Sequence, residues 1–141
     1  MNTNIRKIEF SDFLNYKTHI NSNISKEFFE NFVNNILNEN HHILVLEYDN
    51  IIVGSGTLLI EEKMTYGGCK MGHIENILID ENMRGKKLGT LLMNELVKIA
   101  DQKSCYRVDL VCEKHLNKFY KTVGFDDNLI CMTMLNKHHY K

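Results

Sequence analysis

The 141-residue chain contains no proline, and no stretch of it reads as a linker or an internal repeat. No apolar run is long enough to cross a bilayer as a helix. The first residues, MNTNIRKIEF, lack the apolar core of a secretory signal. The four cysteines, Cys69, Cys105, Cys112 and Cys131, lack the CxxC spacing of a zinc or redox motif. They read as reduced, mostly buried thiols of a cytoplasmic protein. An excess of one charge is missing as well. The net charge is -1, and Lys and Arg are scattered apart from Arg84 to Lys87. No basic field therefore argues for nucleic acid, and no segment argues for a membrane partner. His41-His42 and His138-His139 fall in polar loops or the tail, so no metal site is expected. The Walker spacing GxxxxGK[ST] and the dinucleotide fingerprint GxGxxG are also absent.

What is present is ordinary globular composition, with 43% hydrophobic and 25% charged residues. The length suits one domain, 1–141, with 136–141 as a loose tail. Alternation predicts a strand at Ile5–Phe10, and further strands are expected at Ile43–Tyr48, Ile51–Glu61, Gly72–Asp80, Tyr106–Cys112 and Leu129–Leu135. Asp49-Asn50 is a two-residue hairpin turn. Helices are expected over Phe13–Thr18, Lys26–Leu37, Lys87–Gln102 and His115–Val123. Ser11-Asp12 and Ser25 serve as N-caps and Gly124 as a C-cap. Leu88, Leu91, Leu92, Leu96 and Ile99 form the apolar stripe of the third helix. The order describes a mixed α/β fold: an antiparallel meander, a βαβ unit and a closing pair.

The chain is organised around Gly72 to Leu92, GHIENILIDENMRGKKLGTLL. A strand hands over to a helix through basic residues and two glycines. The first N–H groups of a helix lack partners within it, and the helix dipole adds positive charge there. Gly85 and Gly89 allow close approach to the backbone, while Arg84, Lys86 and Lys87 add full charges. The segment thus reads as a phosphate or pyrophosphate cradle. Taken alone, it also fits a solvated connection.

Three features line up along the chain: this strand-turn-helix, the strand YRVDLVC directly after it, and KFYKTVGF, Lys118 to Phe125. Together they resemble the GNAT superfamily of acyl-coenzyme A N-acyltransferases over about Ile43 to Phe125. RGKKLG resembles that family's R/Q-x-x-G-x-G/A loop, with Lys87 at the middle glycine, tolerable if its φ stays negative. FYKTVGF resembles FYxxxGF. Within the superfamily, GHIEN, CYRVDLVC and LLIEEK are most similar to the glucosamine-6-phosphate N-acetyltransferase family. Val111 stands where that family has a carboxylate, Asn76 where it has Asp, and Leu116 where it often has Asn. Leu135 falls near the place of a phosphate-binding arginine, for which Lys137 is a possible substitute.

The resemblance implies a GNAT fold, with a central, mostly antiparallel sheet, a splayed parallel strand pair and flanking helices. It implies acetyl-coenzyme A as co-substrate, glucosamine 6-phosphate as acceptor, direct transfer, and a homodimer. The pyrophosphate would sit on the N–H groups of Arg84, Gly85, Lys86, Lys87, Leu88, Gly89 and Thr90. The pantetheine arm would pair with the backbone of Ile77, Leu78 and Ile79, beside a β-bulge, and an N–H of Asn76 or Ile77 would face the oxyanion. Tyr120 would hydrogen-bond and protonate the leaving thiolate, with Phe119 as core. Glu75 would take or relay the proton of the amine, and His73 is the second candidate base. Lys63, Thr65, Tyr66, Glu75, Asn76 and the backbone of Cys112 would line the acceptor site. A solvated Lys63 and a core Tyr120 fit the local sequence too. Other small amines, a protein lysine or N-terminus, and a coenzyme-binding module without turnover remain open.

Overall fold

The computed structural model describes residues 2–136. Its strands are β1 (Thr3–Lys7), β2 (His41–Tyr48), β3 (Ile51–Lys63), β4 (Cys69–Ile79) and β5 (Cys105–Leu110). They form one sheet in sequence order, antiparallel from β1 to β4 and parallel between β4 and β5. The expected meander and βαβ unit are both present. Asp49 and Asn50 close the β2–β3 hairpin with φ of 50° and 68°, the left-handed pair that Asp and Asn tolerate. The helices are α1 (Phe13–Ile20), α2 (Lys26–Asn31), which runs on into a π turn (Phe32–Ile36), α3 (Leu88–Gln102) and α4 (Asn117–Val123). The chain divides into two compact units, one ending at Leu110 and the other beginning at Val111. Among the described residues no helix is long and apolar enough to cross a membrane.

In the first unit the sheet is covered on both faces. On one face Ile8, Phe29, Ile43, Val45 and Ile52 are buried against Phe13, Tyr16 and Phe32 from α1 and the α2 segment. Ser25 Oγ caps α2 by accepting the Phe28 N–H at 3.0 Å. Asp12 does not cap α1. Its carboxylate takes two 2.7 Å bonds from Arg6 and the Glu9 N–H at 2.8 Å. On the other face α3 buries Leu88, Leu92, Met93, Leu96 and Ala100. Leu91, expected in this stripe, is exposed. At 100° per residue it projects about 140° from Leu96, the centre of the buried arc.

Other expectations are corrected. β1 ends at Lys7 rather than Phe10, because Phe10–Asp12 tightens into a 3-10 turn. Ile8 still donates its N–H to the Ile43 carbonyl at 3.1 Å. Leu129–Leu135 forms no strand, and Leu129, Ile130, Met132, Met134 and Leu135 are exposed. An apolar run equips a segment to pair, but no edge pairs with it among the described residues. The cysteines are free, as expected, yet not mostly buried: Cys112 and Cys131 are exposed and the other two half-buried. Lys137 and His138-His139 lie outside the described residues.

Candidate active site

The β4–β5 ladder ends at Ile74 and Leu110, whereas β4 continues to Ile79. From Glu75 onward, the edge of β4 that faced β5 presents backbone groups to no other strand among the described residues. The opposite edge is interrupted at Asn76. Thr57 pairs with Glu75 and Ser55 with Leu78, so Gly56 alone faces Asn76 and Ile77. This is the expected β-bulge, with Asn76 at φ 55°, and it redirects the strand just where its free edge begins. A methyl group on Gly56 would collide with the side chains of Ile77 and Leu96, so glycine lets the bulge and α3 close together. Ile77, Leu78 and Ile79 form the free edge. Glu75 is exposed, and its carboxylate is engaged by no other described group, leaving it free to take a proton.

At Asp80 the strand turns. The Met83 N–H reaches the Asp80 carbonyl at 2.9 Å, and the Arg84 N–H reaches the Glu81 carbonyl at 3.3 Å. The Arg84 N–H, expected to face a ligand, is therefore already used. Gly85 and Lys87 take left-handed φ of 79° and 62°, which overturns the expectation that Lys87 keeps φ negative. α3 then starts without a side-chain cap. Among the described residues no protein acceptor takes the N–H groups of Gly85, Lys86, Lys87, Leu88, Gly89 or Thr90. Such a run beside left-handed residues is an anion-binding concavity. The Leu88 side chain is in the core, so Leu88 can contribute only its N–H. Arg84 Nε donates to the Ile79 carbonyl at 3.2 Å, and Lys86 Nζ sits 5.8 Å from the centre of the Tyr48 ring.

The sequence profile of the acetyltransferase (GNAT) family matches residues 3–125. The chain belongs to that family. It is 31% identical over 139 residues to the glucosamine 6-phosphate N-acetyltransferase of Arabidopsis thaliana, a match covering 92% of this chain and 93% of the relative. The probable glucosamine 6-phosphate N-acetyltransferase 2 of Oryza sativa subsp. japonica is 35% identical over 102 residues. That match covers 70% of this chain but only 61% of the rice protein. The crystal structure of glucosamine-6-phosphate N-acetyltransferase from Arabidopsis thaliana superposes with a TM-score of 0.91 at 28% identity, covering 96% of this chain and 99% of that one. GNAT enzymes use acetyl-coenzyme A. The unpaired N–H row with its basic residues fits a pyrophosphate, and the free edge of β4 fits the amides of a pantetheine arm.

Further from this GNAT cradle, Lys63 pairs with Glu61 at 3.3 Å, and Thr65 Oγ1 lies 3.9 Å from Cys69 Sγ. Tyr66 is exposed at φ 52°, its ring 5.6 Å from that of Tyr106. Lys63 stands opposite Cys69 and Glu75 opposite Thr57. Six residues of strand separate the two levels, about 20 Å, so the structure does not bring the Lys63–Tyr66 loop to Glu75 within one chain.

His73, the second candidate base, is occupied on both sides. Its Nδ1 lies 2.6 Å from Asp109 Oδ1 and its Nε2 2.9 Å from Glu61 Oε1. Ionised carboxylates only accept, so both nitrogens carry protons. Partial burial opposes that charge, and the two carboxylates outweigh it, raising the pKa above its usual value. An imidazolium held this way is a poor base. Sequence reasoning missed Glu61, Asp109 and Tyr106. Their one local signal is a carboxylate in mid-strand, at Asp109, and its partner is decided by register.

In the second unit Tyr120 lies on α4, buried, with rings of Phe119 at 4.9 Å and Phe125 at 6.4 Å. Phe119, expected as core, is only half-buried. The Gly124 and Phe125 N–H groups close the helix on the Lys121 and Tyr120 carbonyls, with Gly124 at φ 118°, as the C-cap expectation requires. Burial, then the nearby Cys112, pushes the Tyr120 phenol above its ordinary pKa. It stays protonated at neutral pH, the form a general acid needs. Cys112 itself is exposed.

Proposed function

We propose that the chain transfers the acetyl group of acetyl-coenzyme A to the amine of glucosamine 6-phosphate, giving N-acetylglucosamine 6-phosphate for UDP-N-acetylglucosamine biosynthesis in the cytoplasm. One observation carries the reading. The free edge of β4 and the unpaired N–H row of Gly85 to Thr90 follow each other within a single strand-turn-helix, in the order in which pantetheine and pyrophosphate follow each other in the coenzyme. The names of the Arabidopsis and rice relatives support the choice of acceptor.

The coenzyme supplies an acyl thioester, and the residues do the rest. Ile77, Leu78 and Ile79 orient the pantetheine arm, while Arg84, Lys86 and Lys87 neutralise the pyrophosphate. The N–H of Asn76 or Ile77 faces the developing oxyanion, a contact typically worth roughly 3–4 kcal/mol. Glu75 receives the proton that the amine loses as the C–N bond forms. Tyr120 gives its proton to the thiolate released as the C–S bond breaks, and Asn76 and Cys112 flank the acceptor. An amino-sugar amine is less basic than a lysine, so a modest base is sufficient.

Lys63, Thr65 and Tyr66 keep their proposed place at the sugar phosphate. Because their loop stands about 20 Å from Glu75 along β4, the proposal brings it from a second copy of the chain, in a homodimer. The unpaired apolar segment Leu129–Leu135 favours such a partner. Val111, where the relatives' family has a carboxylate, favours a second reading, a different acceptor amine. Thiol release from acetyl-coenzyme A with glucosamine 6-phosphate, glucosamine, polyamines and lysine peptides decides among these. Turnover highest with glucosamine 6-phosphate is expected. Absence of thiol release with every amine, despite coenzyme binding, would sink the enzyme reading; equal turnover of glucosamine would sink the phosphate site. Light scattering reads the dimer directly.

A further inference from the structure

His19 lies on α1 and is assigned no role in the reaction proposed above. Its side chain is 0% exposed, whereas that of Asp80 is 30% exposed. The His19 Nδ1 is 2.5 Å from Asp80 Oδ1 and the Nε2 is 2.9 Å from Ser55 Oγ. The carboxylate can only accept, so Nδ1 carries a proton and donates it. Ser55 is buried on β3, a fixed anchor.

Asp80 is the last residue of the coenzyme turn to reach the sheet by a backbone hydrogen bond. Its N–H donates to the Val53 carbonyl at 2.8 Å, and its own carbonyl receives the Met83 N–H. Glu81 and Asn82, the next residues, line with Asp80 an open cleft of about 570 Å³ that Asn15, Thr18, His19, Ile51 and Ile52 also line. On that side the turn borders a cleft rather than a packed core. Gly85 and Lys87 beyond it are both left-handed, and their N–H groups point at no protein acceptor. A turn that borders an open cleft and leads into unpaired N–H groups depends on where its first residue is held.

We infer that His19 is a positioning residue for the coenzyme: through the Asp80 carboxylate it anchors the turn that presents the N–H groups of Gly85 to Thr90. The inference rests on the acetyltransferase reading. A ligand that needs the turn in one arrangement binds more weakly by the fraction of time the turn spends elsewhere. Loss of the tie should appear in coenzyme affinity and leave the chemical step intact.

Two substitutions separate the ties of His19. In His19→Asn the side-chain NH2 falls where Nδ1 stood and can still serve Asp80, while the Ser55 bond is lost. In His19→Gln the amide falls where Nε2 stood and serves Ser55 instead. Coenzyme A binding is read by calorimetry, and the KM for acetyl-coenzyme A and kcat by thiol release. The expected result is about tenfold weaker binding and a matching rise in KM for His19→Gln, the equivalent of one charge-assisted hydrogen bond. Its kcat should stay within twofold, and His19→Asn should recover most of the affinity.

Asp80→Ala guards against misfolding at a buried histidine, because Asp80 is partly exposed. It should reproduce the His19→Gln loss, and the double variant should bind no more weakly than either. Ser55→Ala should bind as the wild type does. Equal affinity of wild type, His19→Gln and Asp80→Ala would overturn the inference alone. So would equal loss in the Asn and Gln variants, since that marks a packing role. A wild-type protein that binds no coenzyme would overturn the acetyltransferase reading and this inference with it.

Discussion

Lys87 sets folding stability against ligand binding, and its substitution by glycine measures both. It holds φ 62° and ψ 19° as the residue before α3. For a residue with a Cβ this left-handed region costs about 1–2 kcal/mol. The Lys87 side chain is exposed and engages no described residue, so removing it loses no packing. Lys87→Gly removes the strain but gives the unfolded chain extra freedom, which costs about 0.4–1 kcal/mol. The balance is a gain of about 1 kcal/mol, or roughly 3–5 °C in Tm for a chain of this length. Lys87→Ala keeps a Cβ and with it the strain, so it should melt near the wild type. Urea and thermal unfolding of the three proteins measure the difference. The same glycine removes an ammonium from the cradle. In water a unit charge about 4 Å from another is worth about 1 kcal/mol, so coenzyme A should bind roughly fivefold more weakly. Stability up and affinity down is the expected pair. A glycine variant no more stable than the alanine variant would refute the strain argument, and unchanged affinity would remove Lys87 from the cradle.

Other outcomes follow from the same site. Tyr120→Phe keeps the ring contacts and loses the proton, so kcat should fall about 10²-fold, the lower range for a general acid, with coenzyme Kd within twofold; an unchanged kcat would return Tyr120 to a packing role. Arg84→Ala loses both a charge and the bond to the Ile79 carbonyl, and should weaken coenzyme A binding about tenfold; equal affinity would count against the cradle. His73 has a raised pKa in the folded protein, so its stabilising charge is fully present below its ordinary value near 6.5 and is lost as pH rises through the folded value. The stability difference between wild type and His73→Gln should be largest near pH 5.5–6.5 and shrink above that; a difference that grows with pH would refute the assignment of Glu61 and Asp109 as its partners.

The strand-turn-helix from Gly72 to Leu92 was legible in sequence because both of its signals are local. GHIENILI is a short β-branched, apolar-rich run bounded by a polar turn, and Leu88, Leu92 and Leu96 recur at helical spacing. The positive φ of Lys87 was not legible, since the choice between φ −60° and +62° at a lysine is made by where α3 docks. Leu129–Leu135 shows the opposite failure. Its apolar residues are those of a strand, but a ladder needs a second edge, and an apolar run does not name one. The ties His73–Asp109 and His19–Asp80 join residues 36 and 61 positions apart. They are consequences of strand register and of helix placement on the sheet, and no window of sequence contains both partners. Asp12 failed for a related reason: its spacing before α1 is that of an N-cap, yet Arg6, brought beside it by β1, competes for the same carboxylate.

Positive φ is taken at residues of unequal tolerance. Asn21, Asp49, Asn50 and Asn76 take positive φ at little cost, because short polar side chains tolerate that region. Tyr66, Lys87 and Ser104 are the ones for which it is expensive. Ser104 closes the short connection between α3 and β5, a demand of topology. Tyr66 lies between β3 and β4 and Lys87 between β4 and α3: one carries an exposed ring beside Tyr106, the other an exposed ammonium beside unpaired N–H groups. Glycine would relieve both positions, but it would remove the ring and the charge. Under the proposed reaction these two strained residues belong to the acceptor loop and to the coenzyme turn.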